Sequence, residues 1–311
     1  MTEVWDADRI RSVFEAVKNW GRWGDDDERG AINLITAEKL QQAAATITAG
    51  ETVSCALELA VQPAADNPHP ALHHMVRGGD DCVIHGTGME FTSDFVGVAF
   101  HGMATSHIDA LCHCLVEGKM YNGFDGAEVK STGARRGSVM SIADGVTSRG
   151  GLLDIAALKG EPWLEPGDFI TVADLDAAEA AAGVTVTPGD ILLIATGRDA
   201  RRAEKGAWHP FAAGMAGLHV ECVEWLHERG VAVLGCDGIS DALPGLGIAG
   251  WEMPIHQCTL VAMGVHLLDN LRLDRLSEAC NRHGRWEFQL TVAPLRVEGG
   301  TGSPVNPIAV F

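Results

Sequence analysis

Several features that mark large protein classes are missing from this chain of 311 residues. No uninterrupted apolar stretch approaches the ~20 residues of a membrane-spanning helix, so no membrane partner is expected. There is no run of Lys and Arg, and 23 basic residues face 42 acidic ones, for a formal net charge of −19. A nucleic-acid partner would require a basic patch, and none is expected. The charge itself reads as solubility and self-repulsion. No C-x-x-C pair occurs among the eight cysteines. The opening MTEVWDADRIRSV has no basic stretch leading into an apolar one, so no export signal is expected. Together these point to reduced thiols in a cytoplasmic protein. There is also no G-x-S-x-G elbow, and Ser106 reads as a turn hydroxyl rather than a nucleophile.

What is present is an ordinary globular composition, with 46% apolar and 21% charged residues, and neither an internal repeat nor a low-complexity tract. The N-terminal part is turn-rich around Trp20-Gly-Arg-Trp23, and Thr36 is placed to cap a helix. Residues 65–80, with His73 and His74, read as a long loop, and His85 lies near it. Beyond Asp168 the pattern alternates: short strand, an Ala/Glu-rich helix over 174–184, and a buried strand within Gly189–Gly197. A helix over 217–230 and a strand ending at Cys236-Asp237 follow. Asp237 then stands at a strand end, where βαβ units present functional groups; a turn aspartate is the equal alternative. Trp20, Trp23, Phe91 and Trp208 are candidates to line a pocket, with packing under loops as the plainer reading for the first two.

The densest polar signal is Phe100-His101-Gly102-Met103-Ala104-Thr105-Ser106-His107-Ile108-Asp109-Ala110-Leu111-Cys112-His113-Cys114. His107 and Asp109 are two apart, so an extended backbone puts both on one face. Asp109 and His113 are four apart, so a helix starting near Asp109 would stack them. His101 can join through the Gly102 turn. Imidazoles plus one carboxylate suit Zn²⁺, Mn²⁺ or Fe²⁺, and two His with one Asp leave coordination positions open. The alternative is a buried histidine network satisfied by hydrogen bonds. A thiolate site at Cys112 and Cys114 is disfavoured, because neighbours in C-x-C point in different directions on a helix.

This segment resembles the H-x-G-T-H-x-D-x-P-x-H motif of the cyclase family, which includes bacterial kynurenine formamidases, isatin hydrolases and related lactone and lactam hydrolases. His107, Asp109 and His113 align in register; His101 precedes His107 by six residues rather than four, and Leu111 stands where proline is usual. Arg149–Asp154, Pro188–Gly197, Gly217–Asp237, His256 with Leu267–Leu271, and Gly302–Val305 are similar to further stretches of the family, in the same order. The resemblance implies a mixed α/β fold of the swivelling β/β/α type. One domain would span 1–311 with a loop-rich extension over about 1–50, assembled as a homodimer or homotetramer. It implies a divalent metal, Zn²⁺ or Mn²⁺, held by His101, His107 and Asp109, with His113 as a proton-transfer residue. His256 would bind a second metal or touch the attacking water, and Asp269, where Glu is usual, would be a further ligand with a shorter side chain. The implied activity is hydrolysis of an amide, lactam or lactone carbonyl in a small cyclic molecule. N-formylkynurenine hydrolysis and a non-catalytic metal- or ligand-binding protein are the alternatives. The chain is longer than the compact formamidases of the family.

Overall fold

Strands buried on both faces read as continuous apolar runs, and Ile191–Ala195 is such a run, buried at every residue. It lies at the middle of a nine-stranded mixed sheet in the computed structural model, which describes residues 4–80, 89 and 91–311. From edge to edge the strands are Thr52–Ser54, Ile308–Val310, Glu287–Val292, Val146–Asp154, Ile191–Ala195, Val233–Cys236, His266–Asp269, His107–Asp109 and Gly302–Pro304. The four from Val146–Asp154 to His266–Asp269 run parallel, and every other pairing is antiparallel. Leu192 and Ile194 enter one hydrophobic core, while Ile191, Leu193 and Ala195 enter the other. The period of two thus feeds both faces of the sheet. This is the mixed α/β architecture expected.

Helices cover the two faces through the same logic. Val172–Ala182 is opened by a reciprocal capping box between Thr171 and Asp174 and closed by left-handed Gly183. Its Leu175 and Ala178 join the first core, and Leu276, Ala279 and Cys280 of helix Asp274–His283 join the second. The region expected to be loop-rich holds helix Ala7–Ala16 and the Thr36-capped helix Ala37–Ala45 around its turns. It is anchored to the chain near Gly264: Trp20 Nε1 donates to Val261 O at 2.7 Å and Ala31 N to Gly264 O at 2.8 Å. Gly30 must be glycine there, since its φ is +60° and a Cβ would stand 2.0 Å from Gly264 O.

Two expectations are corrected. Residues 65–80 are not all loop: Leu72–Arg77 pairs antiparallel with Ser93–Gly97 in an exposed ribbon. His73 bonds Asp94 across it at 3.0 Å and His74 stacks on Phe95, so cross-strand pairing overrides the flanking Pro and Gly. His85 lies outside the described residues. The span 217–230 is not one helix; Gly217–Leu218 is a short strand and the helix is Cys222–Glu228. Among the described residues, no helix is long and apolar enough to cross a membrane.

Candidate metal centre

The site grows from the last three strands of the sheet. His107 and Asp109 lie on one short buried strand, and the pairing with His266–Asp269 sets Asp269 directly opposite His107. His107 Nδ1 is 2.8 Å from the carbonyl of Thr105, which can only accept, so Nδ1 carries a proton and Nε2 is turned to the site. Nε2 lies 3.4 Å from Asp109 Oδ1. The shorter Asp269 side chain reaches the same place, with Oδ2 3.5 Å from His256 Nε2, because the strand delivers its backbone close to the site.

The remaining histidines arrive from outside the sheet. His101 places Nδ1 3.0 Å from Asp109 Oδ1 without bonding it, while its Nε2 bonds Thr301 Oγ1 at 3.0 Å. Its displaced spacing is absorbed by the irregular segment Gly102–Ser106. His113 follows a turn, closed by His113 N on Ala110 O, and not the helix expected. It still brings Nε2 to 3.9 Å from Asp109 Oδ2, and its ring stacks on His101 at 3.9 Å and 4°. His256 stands at the start of a helical segment with Nδ1 2.6 Å from Asp241 Oδ2 and Nε2 3.7 Å from Asp109 Oδ2. Four imidazoles therefore surround one carboxylate.

Burial opposes ionisation of Asp109, yet His101 beside it and the charges of His113, His107 and His256 hold its pKa far below the carboxylate range. Burial likewise opposes protonation of His256, but Asp241 and Asp269 outweigh it and raise its pKa well above that of free imidazole. His113 is lowered to about 4, chiefly by burial and against the pull of Asp109, which leaves it neutral at pH 7.

The match to known proteins fits this geometry. The profile of the Cyclase family matches residues 57–241, which is more than half of the chain. The chain belongs to the Cyclase family. A solved structure described as a novel cyclase superposes with a TM-score of 0.84 at 32% identity, covering 95% of this chain and 100% of that one. Isatin hydrolase A from Labrenzia aggregata, bound to benzyl benzoate, shares the fold at 21% identity and a TM-score of 0.60, over 86% of this chain and 94% of that one. An isatin hydrolase bound to the product analogue thioisatinate does so at 19% and 0.59, over 89% and 99%. No curated protein sequence matches the chain.

Whether this Cyclase-family site suits a metal is tested by its unpaired atoms. Among the described residues, both oxygens of Asp109, Asp269 Oδ1 and His101 Nδ1 are buried with no hydrogen-bond partner. Leaving carboxylate oxygens desolvated and unpaired is costly, and a cation relieves that cost. Among the described residues, two sets place ligand atoms within 4.8 Å of one another: His101, Asp109 and His113, and His107, Asp109 and Asp269. The donors are the imidazole and carboxylate types that Zn²⁺ and Mn²⁺ accept. The residues fit the group.

A second layer, invisible in the local motif, holds these donors. Asp241 accepts from Ile255 N and His256 N as well as from the His256 ring. Asn270 donates to Gly102 O and Thr105 O and accepts from Arg198, whose guanidinium also bonds Met103 O and Asp237 O. The Asp237 carboxylate takes the turn role, accepting from Thr196, Gly197 N and Arg198 N. Ser106 Oγ bonds the carbonyl of Asn270 and accepts from Leu57 N. Asp241 is 15 residues from His256, so no spacing rule could have found it.

The site opens into a cavity of about 390 Å³, lined opposite the donors by Met103, Leu115, Phe211, Ile239 and Met253. None of the four aromatic candidates lines it. Trp20 and Trp208 spend their indole N–H groups on Val261 O and Gly214 O, Trp23 lies under Arg22, and Phe91 lies under Arg77. Cys114 does line it, whereas Cys112 is buried in a core. The two thiols face different surroundings, as C-x-C geometry implies.

Proposed function

We propose that this chain is a metal-dependent hydrolase that cleaves an amide, lactam or lactone carbonyl in a small cyclic molecule. The observation that carries the reading is the buried carboxylate of Asp109 at the floor of a cavity, ringed by four imidazoles and without a hydrogen-bond partner among the described residues. His101, His107 and Asp109 would hold Zn²⁺ or Mn²⁺, and His256 and Asp269 stand at the same floor as further donors. A divalent ion supplies Lewis acidity there, making water acidic near neutral pH and polarising the carbonyl.

The protein's own residues do the rest. His113 is neutral and reachable from the cavity, so its Nε2 takes a proton from the attacking water and returns it to the leaving nitrogen or oxygen. Stacking on His101 fixes the plane of that ring. Asp241 fixes the orientation of the His256 ring, with Nε2 turned toward Asp109 and Asp269. The apolar wall limits water around the substrate. Support from outside the chain is that structural neighbours of the same fold are named isatin hydrolases.

The test is chelation followed by assay against lactams, lactones and formamides, isatin and N-formylkynurenine among them. Activity should vanish on chelation and return with Mn²⁺ or Zn²⁺. Full turnover by protein shown to be free of metal overturns the reading. Bound metal without turnover of any carbonyl compound leaves a binding protein instead.

A further inference from the structure

The cavity walls carry an inference about which molecules fit, and it rests on the hydrolase reading above. Its polar groups are confined to the floor: His101, His107, Asp109, His113, His256 and Asp269. Everything opposite is apolar, namely Met103, Leu115, Phe211, Ile239 and Met253, apart from the Cys114 thiol and Gly102. No Lys or Arg lines the cavity among the described residues. Arg198, behind Met103, is committed to Met103 O, Asp237 O and Asn270 Oδ1. Arg202 is held by both oxygens of Asp66. A divalent ion would be balanced by Asp109 and Asp269, and the charge of His256 is already paired with Asp241 at 2.6 Å.

We infer that the cavity selects uncharged substrates, small aromatic or aliphatic ring lactones and lactams without a carboxylate, and that Phe211 and Met253 help to set this preference. A substrate carboxylate lying against Met103, Ile239 and Met253 would lose part of its water with no cationic side chain in the wall to replace it, which is costly. Hydrolysis adds water across the acyl C–N or C–O bond, leaving a carboxylate on the acyl carbon and a proton on the leaving atom. Amino-acid substrates such as N-formylkynurenine, with a carboxylate and an ammonium, suit this wall poorly.

The experiment compares phthalide with 5-carboxyphthalide, and a neutral formanilide with its para-carboxylated analogue, using metal-loaded protein. The neutral member of each pair should have a kcat/KM higher by roughly tenfold or more. Phe211 is 61% exposed, so Phe211→Arg can be made without disturbing a core. It should shift the ratio toward the carboxylated member by about tenfold with metal content unchanged. Equal or better turnover of carboxylated compounds by the wild type overturns this inference and leaves the hydrolase standing. An unmoved ratio in Phe211→Arg removes Phe211 from the selecting wall. Absence of turnover with every compound, in protein carrying metal, removes the hydrolase reading and this inference with it.

Discussion

The donors of this site come from two kinds of backbone. His107, Asp109 and Asp269 sit on paired strands, with side chains 3%, 1% and 3% exposed. His101 and His113 sit on irregular segments and are 28% and 31% exposed. The contacts that orient them differ in the same sense. His107 is oriented by the Thr105 carbonyl, a backbone group that no substitution removes. His101 is oriented by the Thr301 hydroxyl, a side chain that one substitution removes. The strand-borne donors are therefore fixed by the sheet ladder itself, while the loop-borne donors depend on individual polar contacts. Damage to the strand-borne set should be all-or-none, and damage to the loop-borne set graded.

The sharpest way to expose that contrast is at the floor. Asp109→Asn keeps the shape and removes the charge shared by both candidate ligand sets. Bound metal should fall below roughly a tenth of the wild-type occupancy, with activity lost in proportion, because carboxylate ligands bind as anions. Metal analysis after gel filtration reads this directly. Retention of full metal would mean that Asp109 is not the shared ligand.

The loop-borne residues should answer differently. His113→Asn should keep metal near wild-type occupancy while kcat falls by about 10²–10⁴, the usual worth of a general acid–base group. Steady-state kinetics and metal content, measured on one preparation, separate the outcomes. Metal lost in step with activity would make His113 a ligand. An unchanged kcat would leave it as a packing partner of His101.

The floor was also the part most legible in the sequence. The spacing of His107 and Asp109 implies one face of a strand, and the strand is there. For His113 the residue was legible but the reason was not: spacing of four suggested a helix, whereas a turn places the ring. His256 and Asp269 were legible only through family resemblance, since 143 residues separate His256 from His113 and no local period spans that distance. Asp241, Asn270 and Thr301 carry no local signal at all. Their roles arise where the sheet order brings Gly302–Pro304 and His266–Asp269 to either side of His107–Asp109. The parallel core was readable because buried strands are apolar without interruption, as Ile191–Ala195 shows. The Leu72–Arg77 ribbon was not, because its exposed residues follow no burial pattern. Phe211 was missed for a related reason: an exposed aromatic on a four-residue helix has no periodicity to mark it.

The smallest effect should come from the contact that holds His101. Thr301→Val is nearly isosteric and removes only the hydroxyl bonded to His101 Nε2 at 3.0 Å. The carbonyl of Thr301 continues to accept from Ala110 N, so the backbone beside the floor stays in place. What changes is the freedom of the His101 ring, which then keeps its stacking on His113 but loses the bond that sets its rotation and tautomer. Partners of this kind are worth about 10–100-fold in metal affinity, and the partial exposure of His101 puts the expected loss near the lower end, about tenfold. Competition against a chelator of known affinity measures it, and kcat at saturating metal should stay close to the wild-type value. If affinity is unchanged, His101 does not depend on its hydroxyl partner and the loop-borne donors are as self-supporting as the strand-borne ones. If metal is lost as completely as in Asp109→Asn, the distinction between strand-borne and loop-borne donors fails from the other side.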